Sequence, residues 1–194
     1  MNKGTAMKNW LLALSLMILG SILSGCLGNA TIKWKEQVQL SDGRVIVVER
    51  EAIYVGGGDE LAVNRSGKKI DEERIRFTSP DGSGKTIEWR STKKSPRTYP
   101  EVPLLLDMAN GQPTVYTLLA IDSVCEVYSK YVYQNDTWIE ESLPEQFRQL
   151  TTNLWFGSQR DIPKLLTLTD KKSRNTDGYR RALKQIGPNR MVCG

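Results

Sequence analysis

The sequence predicts a mainly β (α+β) fold, an antiparallel sheet or small meander barrel built of hairpins, with short C-terminal helices packed on it. Three observations lead there. Residues Thr31 to Leu40 alternate, with Ile32, Trp34, Val38 and Leu40 on one side and Lys33, Lys35, Gln37 and Gln39 on the other, which is the period-two signature of a half-buried strand. Asp-Gly, Asn-Gly and Asn-Asp pairs stand between later β-rich segments, as expected of hairpin turns. Helix-capping signals occur only after Ser142, and strands followed by helices mark this class.

Taken in order, Ser41-Asp42-Gly43-Arg44 predicts a type I′ turn with positive φ at Asp42 and Gly43, and Val45 to Val48 return as the second strand. That strand is expected to run through Tyr54 and stop at Gly56-Gly57-Gly58, where backbone freedom costs too much entropy for a ladder. A polar stretch from Asp59 to Glu73 follows. A second hairpin pairs Ile75 and Phe77 with Ile87 and Trp89 across Pro80 to Gly84. Further strands are predicted at Val102 to Met108, Thr114 to Ile121, Val124 to Tyr133 and Thr137 to Glu141.

Ser142-Leu143-Pro144-Glu145 then combines a capping box with Pro in the first turn, which predicts a helix. A second helix is expected from Asp161, with Ile162, Leu165 and Leu166 on one face. A third is expected from Asp177, with Tyr179, Ala182, Leu183 and Ile186 as its apolar stripe and Gly187-Pro188 at its end.

The N-terminus reads as an address. Lys3 and Lys8 precede an apolar run from Trp10 to Leu23, and no acidic residue occurs before Glu36. This is a secretory leader, since the run falls short of the roughly 20 residues that span a bilayer core. At its end Leu23-Ser24-Gly25-Cys26 resembles the lipobox of bacterial lipoproteins. The resemblance implies cleavage between Gly25 and Cys26, a diacylglycerol on the Cys26 sulfur and acylation of the new amino group, here with palmitate-type chains. Residues 1–25 are thus the cleaved signal peptide, 26–31 the lipidated anchor and short tether, and 32–194 one globular domain. Leu27 where an Asp would retain the protein implies the outer membrane, facing the periplasm. About five residues of tether reach at most about 17 Å, so the domain is expected to sit against the membrane.

Several functions are removed by composition. The 194 residues carry 27 Lys+Arg, 22 Asp+Glu and no His, for a formal charge of +5. Cleavage removes Lys3 and Lys8, and no cluster of Arg with interleaved aromatics remains, so no nucleic acid is expected as a partner. Without His a hydrolytic triad and the usual zinc and copper sites fall away, and no metal or cofactor is expected. Ser79-Pro80-Asp81-Gly82-Ser83-Gly84-Lys85-Thr86 imitates a phosphate-binding loop, but strand-like Ile87 to Arg90 follow where a helix must begin. It is read as a hairpin turn that binds no nucleotide.

The remaining charged and aromatic groups read as surface or packing. Asp71 and Glu73 lie among Lys68, Lys69 and Arg74 and are expected to be solvated, and the adjacent Glu140 and Glu141 should point to opposite faces of a strand. Two basic groups, one of Lys85, Arg90, Lys93, Lys94 and Arg97, the other of Lys171, Lys172, Arg174, Arg180, Arg181 and Lys184, are expected to be solvated faces, the first with binding to anionic lipid headgroups or cell-wall carboxylates as its alternative. Tyr128, Tyr131, Tyr133 and Trp138 are expected to pack across strands. With Cys26 consumed by lipid, Cys125 and Cys193 remain in an oxidising space, which predicts a disulfide between them.

Lys33 to Glu51, the Cys125-Glu126-Val127-Tyr128-Ser129-Lys130-Tyr131 strand and Asn153-Leu154-Trp155 are similar to segments of uncharacterised proteobacterial envelope lipoproteins, a group that implies placement and no activity. The expected function is that of a non-catalytic, lipid-anchored module that binds an envelope protein or cell-wall polymer or serves a structural role near the outer membrane. The alternatives are a small-ligand sensor or inhibitor and a carboxylate-dependent hydrolase.

Overall fold

The computed structural model describes residues 30–56, 67–97, 99–120, 125–143, 151–157, 159, 162–175, 182–184 and 186. These form two sheets. The first has the order β4-β3-β2-β1-β9, from β1 (Ala30–Gln39), β2 (Val45–Gly56), β3 (Lys68–Thr78), β4 (Thr86–Arg90) and β9 (Leu165–Leu166). The second is β5 (Val102–Ala109), β6 (Gln112–Ala120), β7 (Glu126–Gln134) and β8 (Thr137–Glu141) in sequence order. All pairings are antiparallel except that of β9 with β1. One helix, α1 (Leu168–Arg174), carries a full capping box between Thr167 and Asp170.

The sheet is not closed into a barrel. Where β4 and β8 approach, the Trp138 indole N–H donates to the Glu88 carbonyl at 2.7 Å, so a side chain laces the corner in place of a backbone ladder. Val38, Val48, Ile75, Phe77 and Trp89 of the first sheet pack against Leu106, Val115 and Tyr131 of the second, and this is the main core. The far side of the second sheet is covered by Phe156, Leu143 and Ile186 packing on Leu105, Leu118 and Tyr128. The segment Thr152 to Phe156 runs between the sheets. Asn153 donates its amide to the carbonyls of Gln39, at 3.0 Å, and Leu106, at 2.7 Å, and accepts from Leu106 N–H at 2.9 Å, which fixes one sheet on the other.

The turns follow their chemistry, with one correction. Asn110-Gly111 and Asn135-Asp136 hold both central residues at positive φ, as a type I′ turn requires. At the first hairpin only Gly43 has positive φ, at 87°, and Gly43 N–H bonds to Leu40 O while Leu40 N–H bonds to Arg44 O. The predicted type I′ turn is therefore a three-residue loop ending in a left-handed glycine, held by Asp42 accepting from Arg44 N–H at 3.0 Å.

Three other expectations change. The polar stretch through Glu73 is strand from Lys68 onward, laddered on β2, with Glu73 held by Arg50 of that strand. The helix expected from Asp161 is replaced by β9 and then α1. Leu165 and Leu166 alternate between outside and inside on the open edge of β1, and Thr167 starts the helix. Ala182 and Leu183 form a bend in place of helix, although Ala182 and Ile186 are buried. Residues 144–150, which hold most of the helix expected from Ser142, and Asp177 with Tyr179 lie outside the described residues.

Candidate functional site

The inward face of the first sheet is not continuously apolar. Glu36, Arg50 and Glu73 occupy it on three adjacent strands, in phase with Trp34 and Val38, with Val48 and Ala52, and with Ile75 and Phe77. Register sets Arg50 opposite Trp34 and Ile75, Glu36 opposite Val48 and Glu73 opposite Ala52. The guanidinium in the central strand thus reaches both carboxylates diagonally. Arg50 Nη1 lies 2.8 Å from Glu36 Oε1 and Nη2 lies 3.2 Å from Glu73 Oε2.

The C-terminal segment closes this cluster. Lys171 of α1 places Nζ 2.5 Å from Glu36 Oε2 and donates to the carbonyls of Gln37, at 2.8 Å, and Asn153, at 2.6 Å. The backbone N–H of Trp155 donates to Glu36 Oε2 at 2.8 Å. All four charged residues are at most 2% exposed, so two cations balance two carboxylates out of water and offset the cost of burying them. Burial pushes the Glu73 carboxyl above its ordinary value against the pull of Arg50. Burial likewise lowers the Lys171 ammonium, opposed by Glu36.

Aromatic rings cap the cluster. Arg50 Cζ lies 5.1 Å from the Trp34 ring centroid, and Arg174 Cζ lies 5.5 Å from that of Trp155, both within cation–π range. Trp34, Ala52, Trp155, Leu166 and Ala182 form an apolar cluster beyond the charges. The indole N–H groups of Trp34 and Trp155 and the Nε–H of Arg50 are buried with no protein acceptor in reach. A second buried acid, Glu101, accepts from Thr92 N–H at 2.9 Å, Lys93 N–H at 3.2 Å, Thr117 Oγ1 at 2.9 Å and the Tyr131 hydroxyl at 2.9 Å. Burial and this carboxylate push the Tyr131 hydroxyl well above its ordinary pKa.

The outer face of the same strands is also charged. Register aligns Lys35, Glu49, Arg76 and Glu88 in one row across four strands and Lys33, Glu51 and Arg74 in the next. Lys33 meets Glu51 at 2.7 Å, Lys35 meets Glu49 at 3.1 Å, and Arg76 meets Glu88 at 2.5 Å. A shallow groove of about 400 Å³ runs over these rows to Lys164, whose exposed side chain has no partner among the described residues. A second groove, of about 410 Å³, lies between the first hairpin loop and β5, with Ser41, Asp107, Tyr116 and Asn153 on its walls.

The residues singled out in the sequence are not gathered into one site. Leu23, Ser24, Gly25, Cys26 and Cys193 lie outside the described residues, whereas Cys125 is 2% exposed. The loop at Ser79 to Lys85 is a turn closed by Ser79 N–H to Lys85 O at 2.7 Å, followed by strand β4. Lys85 pairs with Asp136, Arg90 with Glu88, Lys93 with Glu140 and Lys94 with Asp71. Glu141 pairs instead with Lys130. Tyr131 packs on Trp89 and Tyr133 on Trp138, while Tyr128 belongs to the opposite face of its sheet.

Two expectations of solvated surface are corrected. Glu73 is buried at 1% exposure on Arg50, and a register shift at Ile53/Tyr54 separates it from Asp71 at the surface. Lys171 is buried on Glu36, and Lys184 pairs with Glu126. Sequence reasoning missed Glu36, Arg50, Glu73 and Lys171 as a unit. The available signal was a charge in phase with the apolar residues on each of three strands.

Among the described residues no group of three metal-ligating side chains assembles, and no helix is long and apolar enough to cross a membrane. No family model, curated protein or solved structure matches the chain.

Proposed function

We propose that the chain is a non-catalytic, lipid-anchored lipoprotein of the bacterial envelope, a binding or structural module held beside the outer membrane by Cys26. The observation that carries this reading is the basic, apolar leader ending in Leu23-Ser24-Gly25-Cys26. Its spacing to the fold supports it, because β1 begins at Ala30, four residues beyond the proposed lipidated thiol. The acids argue in the same direction. Glu36 and Glu73 share one guanidinium in the interior, and Glu101 is enclosed by donors, so the carboxylates that the fold gathers serve as internal ties.

The test is fractionation and intact mass of the protein made in a bacterium. The native protein should partition with membranes and carry the mass of two or three acyl chains on residue 26. Cys26→Ser should remain unprocessed and lack that mass. A native protein whose mature mass shows no lipid overturns the reading.

A further inference from the structure

The strand alternation that buries Ile46, Val48 and Leu166 turns Val45, Val47 and Leu165 outward. These three are 48%, 49% and 42% exposed, and they are three of the five exposed large hydrophobic residues among those described. All three share the outer face of the first sheet with the rows of Lys33 and Lys35, and Lys164 stands next to Leu165. Acidic side chains on this face are already matched, Glu51 by Lys33 and Glu49 by Lys35. Lys164 is left as an exposed cation without a partner among the described residues.

We propose that this face docks on an anionic lipid surface. Aliphatic side chains set among long cationic ones are what an interfacial surface needs: the apolar groups enter the headgroup boundary, and the lysine stems lie along it with their charges toward phosphate. Each cation near an anionic leaflet adds favourable energy within a Debye length. The proposal rests on the lipoprotein reading for its geometry. From Cys26 to Ala30 the chain reaches at most about 14 Å, so a sheet that starts with β1 is held close to the bilayer, and among the described residues no further sheet or helix covers its outer face. The lysines that the sequence offered for headgroups, Lys85, Lys93 and Lys94, are engaged with Asp136, Glu140 and Asp71. Lys33 and Lys35 are paired in the same way, so the unmatched cation that this face adds is Lys164.

Hydroxyl-radical footprinting of the mature lipidated protein reads this directly, in vesicles of phosphatidylcholine alone and with phosphatidylglycerol added. Oxidation of Val45, Val47 and Leu165 should fall severalfold on adding phosphatidylglycerol, while Tyr99 and Ile139, the other exposed apolar residues, stay unchanged. Lys164→Glu should weaken the protection, as should about 1 M salt, where the Debye length is about 3 Å. Unchanged oxidation at the three positions, or an equal fall at all five, overturns the proposal. Intact mass of the same sample shows whether Cys26 carries lipid, so failure of the face and failure of the anchor are seen separately.

Discussion

Glu36 and Lys171 come from opposite ends of the described chain and meet at 2.5 Å in its interior. The carboxylate of Glu36 also takes Arg50 and the Trp155 N–H, so it is the acceptor on which both cations of the cluster converge. Glu73 holds Arg50 alone.

This asymmetry predicts unequal costs. Glu36→Gln should destabilise the fold by about 3–5 kcal/mol, because it leaves buried positive charge uncompensated. Glu73→Gln should cost less, since burial already favours the neutral form of that side chain. Joint replacement of Glu36, Arg50, Glu73 and Lys171 by apolar residues of similar size should cost less than Glu36→Gln alone. Urea unfolding of the four proteins checks the order, and equal losses for Glu36→Gln and Glu73→Gln would contradict it.

The pH dependence has a definite sign. The folded-state pKa of Glu73 is raised above its ordinary 4.5, chiefly by burial, so the folded state holds this proton more tightly than the unfolded chain does. Its contribution to stability is full below the unfolded value and declines as pH rises through the folded one. The native protein should thus lose stability relative to Glu73→Gln as pH increases from 4.5 upward. Chemical denaturation of both proteins over that range measures it; a difference that is flat with pH, or grows in the native protein's favour, counts against the assignment.

The tryptophans separate by their donors. Trp138→Phe removes the bond to the Glu88 carbonyl at the corner between sheets and should cost about 1 kcal/mol beyond the lost packing. Trp34→Phe and Trp155→Phe remove buried N–H groups that have no protein acceptor, so only the volume change and the contact with Arg50 or Arg174 are lost. Their thermal midpoints should fall less than that of Trp138→Phe. The reverse order would show that the two indoles are bonded in solution.

A disulfide between Cys125 and Cys193 is expected from compartment and parity, and Cys125, 2% exposed just before β7, stands where such a bond would tie the C-terminus to the core. The two positions are 68 apart, and the chain-entropy account gives a loop of this size about 4 kcal/mol. Non-reducing peptide mapping of protein taken from the periplasm should recover the linked pair, and two free thiols there would refute it.

The alternation of β1, the hairpin of Ile75 and Phe77 with Ile87 and Trp89, and the strand identities of β5 to β8 were legible in the sequence because each rests on local period and turn chemistry. Glu73 was misread because neighbouring charges look solvated in one dimension, whereas its partner Arg50 is supplied by an adjacent strand. Leu165 and Leu166 suit one face of a helix equally well, and only the open edge of β1 makes them a strand. Asn153, Leu154 and Trp155 lie on the segment that joins the sheets, but nothing local says that one amide bridges Gln39 and Leu106. The outer face with Val45, Val47 and Leu165 was equally hidden, since its third member arrives from more than a hundred residues away.

The parallel pairing of β9 with β1 sets an order of events. During synthesis β1 leaves the ribosome among the first segments and receives one of its two neighbours among the last. Until residues 153 to 171 have emerged, Glu36 has no Lys171 and no Trp155 N–H to meet it, and Arg50 alone answers its charge. Contacts of such long sequence separation form late. The first sheet therefore completes its buried cluster only once the final quarter of the chain is made.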